Sequence, residues 1–313
     1  MKNVVVIGGG TGLSVMLRGL KQIENINLTA IVTVADDGGS TGRIRRQFHI
    51  PAMGDVRNVM CAMAEEETIF TSLMNFRFDG EDSDVGGHNL GNLILTALTQ
   101  TTGSFMEAIR TFSKFLNVKG QIIPSSLDVI TLYAMMEDGT IVRGESNIPD
   151  FNNHIDHVFY ANHVEPTREA LQAIHEADLI VYGIGSLYTS ILPNLIVDHI
   201  SQEVQANSAM KVYFCNAMSQ PGETDGFSLE DHIRAIEKHS FSGSVDVVIT
   251  HANRASDELI QKYKLMGAQP IRVCEEEHTY QILSRDILSF DEQLIRHDSD
   301  KIRDVIAELL DKD

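Results

Sequence analysis

The stretch "VADDGGSTGR" (34–43) runs apolar residues straight into two carboxylates, two glycines, two hydroxyls and an arginine. Four more stretches share this character: "GGGTGLS" (8–14), "GIGSLYTS" (183–190), "NAMSQPGETDG" (216–226) and "HANR" (251–254). Gly8, Gly9, Gly10 and Gly12 stand between an apolar run and a helical pattern that begins near Ser14. Glycines there let a ligand approach the main chain, and the amides of a helix start attract anions. The spacing is not G-x-G-x-x-G, because position 13 is Leu, and no G-K-[ST] follows. Phosphate binding and a tight strand-to-helix turn are both open readings of this loop.

Asp36 and Asp37 come rather late after the glycines for a ribose-binding acid. A second anion-friendly loop follows them, Gly38-Gly39-Ser40-Thr41-Gly42-Arg43. Carboxylates beside phosphate donors suit a sugar next to a phosphate, with Mg²⁺ between them as one option. Arg45 and Arg46 read as solvated helix charges. In "MGDVRN" (53–58), Asp55 sits near a helix start, where capping alone would justify it, with Asn58 one turn on. In "GGHNLGNLIL" (86–95), His88, Asn89 and Asn92 open an apolar helix, and the two asparagines share a face by i,i+3 spacing. Amides and an imidazole suit hydrogen bonding to a base or sugar. HExxH, zinc-type Cys/His spacing and a GxSxG elbow are all missing, and "RHDSD" (296–300) reads as a solvated loop.

The elements that must position these groups alternate. Strands are expected at 3–7, 28–35, 155–160, 178–183, 211–215, 245–250 and 270–274, several as the continuous Val/Ile runs of a sheet covered on both faces. Helices are expected at 14–23, 56–65, 89–99, 104–116, 167–177, 189–206, 228–239, 256–265 and 301–311. Segment 128–146 alternates, turns at Asp138-Gly139 and alternates again, which reads as an inserted β-hairpin, either a flap over the site or an edge ornament. The polar stretches therefore gather at the carboxyl ends of strands, where doubly wound α/β sheets bind ligands. No linker or repeat divides the 313 residues, so one α/β domain over 1–313 is expected.

Composition narrows the ligand class. The chain is 43% hydrophobic and carries 25 Lys+Arg against 44 Asp+Glu, a net charge of −19. Such a field repels nucleic acid, while local amides and arginines can still hold a small phosphorylated ligand. Cys61, Cys215 and Cys274 are scattered, without CxxC, as reduced thiols in a cytosolic protein would be. The opening apolar run is too short for a signal peptide, and no stretch is long enough to cross a membrane. A cytoplasmic location is expected.

"VVVIGGGTGLSVMLRGL", "VTVADDGGSTGRIRR", "GDVRN", "GHNLGNLIL", "ADLIVYGIGSLYTSILPNL" and "CNAMSQPGETDGFS" resemble the CofD-like superfamily, and within it the YvcK branch, whose members are often called gluconeogenesis factors. The matches spread in order from residue 3 to about 228, and "THAN" (250–253) also fits. The resemblance implies a Rossmann-like three-layer α/β/α fold with a mostly parallel, doubly wound sheet. It implies that Gly9, Gly10, Thr11, Gly12, Asp37, Ser40, Arg43, Asp55, Asn58, His88, Asn89, Asn92, Gly185, Ser186, Leu187 and Asn216 face the ligand. Two positions depart from the family pattern. "PAMGD" replaces a tighter Pro-Pro-Gly-Asp before Asp55, and Ile184 stands where Pro is usual.

Two functions follow from the resemblance. The YvcK branch is linked to binding UDP-sugars such as UDP-N-acetylglucosamine and to growth and rod shape on gluconeogenic carbon, with no reaction securely attached. CofD proper transfers 2-phospholactate from a guanosine-diphosphate-activated donor to a deazaflavin precursor with Mg²⁺; here Asp37 or Asp55 would be the metal ligand or base. Details such as "GSLYTSILPNL" and "QPGETDGF" lie nearer the first. An NAD-dependent dehydrogenase is disfavoured by the missing fingerprint and the displaced acids. The sequence leaves open whether the chain assembles with copies of itself or with cell-wall synthesis proteins.

Overall fold

Val4 to Ile7 are at most 1% exposed, so the first strand is covered on both faces, as its unbroken apolar run requires. The computed structural model describes residues 1–66, 69–80, 83–151, 153–274, 277–290 and 294–311. The first third contains β1 (Lys2–Gly8), α1 (Gly10–Leu20), β2 (Ile26–Val32), α2 (Gly39–Phe48), α3 (Gly54–Met63), α4 (Ile69–Asn75), α5 (Leu90–Thr102) and α6 (Phe105–Phe115). There follow β3 (Gln121–Pro124), β4 (Leu132–Met136), β5 (Ile141–Arg143), β6 (Ile155–Tyr160), α7 (Arg168–His175) and β7 (Leu179–Tyr182). A π-helical turn (Leu187–Ile191) leads into α8 (Leu192–Leu195), α9 (Ile200–Ala206), β8 (Met210–Phe214), α10 (Leu229–His239), β9 (Val247–His251) and α11 (Asp257–Leu265). The chain closes through β10 (Gln281–Arg285), β11 (Leu288–Phe290), β12 (Ile295–His297) and α12 (Ser299–Leu310).

The main sheet has seven strands in the order β10-β9-β8-β7-β1-β2-β3, with every pairing parallel. From β1 the chain steps outward through β2 to β3, then returns and steps the other way from β7 to β10. Right-handed crossovers running in opposite directions put their helices on opposite faces, giving a doubly wound α/β sheet. One helical layer brings α1 against α3 and α12; in the other, α7 lies against α9 and touches β1 and β3. The stripe Ile302, Val305, Ile306 and Leu309 is the buried face of α12, which makes it core packing. Among the described residues no helix is long and apolar enough to cross a membrane.

The insertion is larger than a hairpin. Strands β4 and β5 turn at Asp138-Gly139 as read, but β6, expected in the main sheet, pairs antiparallel with the other edge of β4. Stacked Tyr133 and Phe159, ring centres 5.6 Å apart, pin that pairing. The strand expected at 270–274 does not form. Pro270 and Arg272 make only isolated bridges, to Met218 and Ser228, and the seventh strand is the half-exposed β10, whose "QILSR" carries no strong apolar run. Strand β3, an edge strand ending in Pro124, and helix α2 were not anticipated. The helix expected over 189–206 breaks into the π turn, α8 and α9, with His199 in left-handed backbone geometry at the last break.

Candidate functional site

The strand order reverses between β1 and β7, so the crevice of this fold opens where their carboxyl ends part. Two glycine turns form its lips. A Cβ on Gly12 would lie 2.4 Å from the Ile184 carbonyl oxygen, so only glycine lets the start of α1 meet the turn after β7. That second turn is tied down from β8: Asn216 Nδ2 donates to the Gly185 carbonyl at 2.8 Å, and Ser186 Oγ donates to Gln220 Oε1 at 2.6 Å. Gln220 Nε2 in turn donates to Glu223 Oε1 at 2.6 Å. The buried Glu223 also accepts from the Tyr188 amide at 3.2 Å and Thr189 Oγ1 at 2.8 Å, clamping the π turn. Leu187 opens that turn with its side chain in the core.

Acids line the inner side of the glycine loop. A Cβ on Gly9 would sit 2.6 Å from Asp55 Oδ2, and Asp55 accepts the Gly10 amide. On the far side Gly54 lies against the Asp36 carboxylate, which accepts from the Gly38 amide at 2.9 Å and from Thr41. Burial and the repulsion of Asp36 push Asp55 up to about 7. Burial, then the nearby Asp36, Asp55, Asp37 and Glu223, push Glu145 up to about 8, and burial pushes Glu223 to about 7. Asp37 turns the other way: its Oδ1 accepts the Ser146 amide at 3.0 Å. That bond docks the segment after β5, with Glu145, beside the acids.

Ser40, His88, Asn89 and Asn92 form a buried knot. Ser40 Oγ lies 3.1 Å from His88 Nδ1 and accepts from the Asn89 amide at 3.1 Å and Asn92 Nδ2 at 3.4 Å; Asn92 Nδ2 also reaches Thr41 Oγ1 at 3.3 Å. Asn89 caps α5 by accepting the Asn92 amide. Arg43 donates to the Gly86 carbonyl at 2.7 Å, so it leans toward the loop before His88. Arg45, read as a solvated charge, is buried. It donates to the Ala35 and Asp36 carbonyls at 3.2 and 2.7 Å and to the Ile130 carbonyl, fastening the Asp36 turn to the inserted sheet. Arg46 stays exposed, as read.

The outer side of the glycine loop is different. Thr11, Gly12 and Asn58 line a cavity of about 530 Å³ with Arg18, Arg296 and His297. Thus "RHDSD" is no solvated loop: Arg296 and His297 end strand β12, and α12 begins at Ser299. A second cavity of about 460 Å³ lies past the end of β9, around Asn253 and Arg254, with Ile295 of β12 in its wall.

The structure therefore brings Gly9, Gly10, Thr11, Gly12, Asp55, Asn58, Gly185, Ser186 and Asn216 to one rim. It sets Ser40, His88, Asn89 and Asn92 in a neighbouring buried network. Asp36 was read only as one of a pair of acids, and Glu145, Glu223, Arg296 and His297 were not read as ligand-facing from the sequence. Asp36 and Glu223 lay inside quoted motifs, whereas Arg296 and His297 lay in a stretch read as a solvated loop. Among the described residues no three His, Cys, Asp or Glu side chains are arranged to hold a metal ion by themselves.

The family model of the 2-phospho-L-lactate transferase CofD matches residues 4–288. The gluconeogenesis factor of Bacillus subtilis is 43% identical over 311 residues, 98% of each chain. That of Halalkalibacterium halodurans is 46% identical over 313 residues, 98% of this chain and 96% of the relative. A crystal structure of a Bacillus halodurans protein superposes with a TM-score of 0.94 at 46% identity, covering 98% of this chain and 99% of that one. Sequence, family model and solved fold agree along nearly the whole length, and the chain belongs to the CofD family.

Proposed function

We propose that the crevice binds a nucleotide-sugar of the UDP-N-acetylglucosamine type, and that the protein is a cytosolic regulator coupling this ligand to growth and cell shape on gluconeogenic carbon. One observation carries the ligand class: two glycine turns pressed together at the switch point, with the start of α1 between them. Its close relatives bear the name gluconeogenesis factor, which supports the physiological half. In this reading Gly9 to Gly12 and Gly185 to Ser186 cradle the diphosphate, while Asn58 and Asn216 border it. The Ser40–His88–Asn89–Asn92 network fixes the wall formed by α2 and α5.

Mg²⁺ fits the donor chemistry of Asp36 and Asp55, two buried-side carboxylates whose own repulsion a cation would relieve. Mg²⁺ commonly takes one or two carboxylates plus phosphate oxygens, so it would neutralise charge on the diphosphate. Calorimetry with UDP-N-acetylglucosamine, with and without Mg²⁺, tests the reading. No heat at millimolar ligand refutes it.

The same pair favours a second reading, a nucleoside-diphosphate-dependent transferase. Asp55, raised to about 7, is poised to accept a proton near neutral pH at the edge of a phosphate cradle. Mass spectrometry after prolonged incubation with guanosine-diphosphate-activated phospholactate, a deazaflavin acceptor and Mg²⁺ separates the two. Product that disappears in Asp55→Asn selects the transferase.

A further inference from the structure

Helix α4 carries no charged residue: its seven positions read IFTSLMN. Thr71 and Met74 form its buried face. Arg57 holds its end, donating to the Met74 carbonyl at 3.1 Å and to Asn75 Oδ1 at 3.3 Å. The other side of the helix is apolar as well. Ile69, Phe70 and Leu73 are exposed there, and Phe76 extends the row just past the last turn. A helix apolar on both sides is suited to an interior, with something packed against each side of it.

Phe115, the last residue of α6, widens this surface. Its ring meets Phe70 edge to face, with centres 5.2 Å apart, and stacks on the buried Phe112 at 5.5 Å. Ile69, Phe70, Leu73, Phe76 and Phe115 are each between 41% and 69% exposed. At about 200 Å² for a whole phenylalanine, and slightly less for isoleucine or leucine, the five present about 500 Å² to water. That lies near the top of the range for the largest apolar patch on a monomer, about 300–600 Å². Two such faces pressed together would bury about 1,000 Å² from these residues alone, and the surrounding rim brings the total into the range of a specific interface.

The charges around the patch say what kind of surface fits it. Glu65 and Glu66 stand before α4, while Lys114 and Lys119 stand on and after α6, all four exposed. Lys119 pairs with Glu65 at 3.3 Å. Both signs therefore border the patch, although the chain as a whole carries −19. A rim of one sign recruits the opposite sign, whereas a rim of both signs around an uncharged centre is complementary to itself across a two-fold axis. We propose that this face joins two copies of the chain in an isologous dimer, with Phe70 and Phe115 at its centre and the lysines of one copy beside the glutamates of the other. The two chains repel each other at long range, so screening by salt tightens the dimer. An interface drawn together by opposite charge would loosen instead.

Sedimentation velocity on the full chain, over a micromolar concentration series at low and at high salt, tests this. Wild type is expected at twice 34.7 kDa, with a dissociation constant that falls as salt rises. Phe70→Glu and, separately, Ile69→Lys are expected to weaken self-association at least ~10-fold. Leu265→Glu, at an exposed apolar residue of α11 outside the patch, is expected to leave it unchanged. Circular dichroism melts of the same samples show that each variant is folded, and the more exposed Ile69 supplies the decisive variant if Phe70→Glu is not. The inference is overturned if wild type stays monomeric at every concentration in both salts, which would leave the patch to a different protein. It is overturned equally if folded Ile69→Lys and Phe70→Glu dimerise as wild type does, or if Leu265→Glu disrupts the dimer as strongly as they do. A dimer that loosens as salt rises also overturns it, since opposite charges and not this apolar face would then hold the copies together.

Discussion

Replacing Asp55 by Asn should make the protein more stable in alkali and leave it nearly unchanged in acid. The carboxyl sits at about 7 against an ordinary 3.8, a rise of about three units. At about 1.4 kcal/mol per unit, the ceiling is about 4 kcal/mol. The side chain keeps part of its surface in solvent, so about half of that, roughly 2 kcal/mol, is the working figure. A raised carboxyl holds its proton in the folded state after the unfolded chain has released it. Stability is therefore full below about pH 4 and falls as pH climbs toward 7. Asn mimics the protonated acid, and its oxygen can still accept the Gly10 amide. Urea unfolding followed by circular dichroism at pH values from 4 to 8 would show the gap between variant and wild type widening by about 2 kcal/mol. Parallel pH profiles, or a variant less stable at pH 8, would refute the claim that Asp55 is crowded by burial and Asp36.

Three further outcomes are expected. Gly12→Ala drives a Cβ to 2.4 Å from a main-chain oxygen that no side-chain rotation can move aside. It should lower stability by about 1–3 kcal/mol in thermal melts and weaken calorimetric ligand binding more than ~10-fold. Arg45→Met strands the carbonyls of Ala35, Asp36 and Ile130 and should cost about 3 kcal/mol in denaturant unfolding, with faster proteolysis between 128 and 136. Asn89→Ala removes the α5 cap and should cost about 1 kcal/mol without altering the pH profile.

The alternation of strand and helix was legible because continuous Val/Ile runs such as β1 and β7 have few other uses. Edge strands were not. β10 is partly exposed and polar, while "PIRVC" has strand composition yet lies outside the sheet, so pairing and not local preference decided both. At the site, the glycine lips were readable from their place after strands. The division of labour between Asp36 and Asp37 was not, because neighbouring residues on extended backbone point to opposite sides and only the tertiary fold says which side holds Asp55. Arg45 looked solvated because composition cannot reveal three main-chain carbonyls waiting inside. Arg296 and His297 were misread as a solvated loop for a plainer reason: nothing in their own stretch hints at a partner some 285 positions earlier.

The central strand has one more consequence. Its two neighbours, β2 and β7, come from opposite ends of a long stretch of chain, and the Asn3 amide is bonded to Asp178. A nascent polypeptide that has reached β3 can assemble β1, β2 and β3 from nearby segments. It has then made only half a mouth. The facing half waits for residue 183 to emerge and for a loop of more than a hundred residues to close, so ligand competence should arrive late, after much of the fold is already in place.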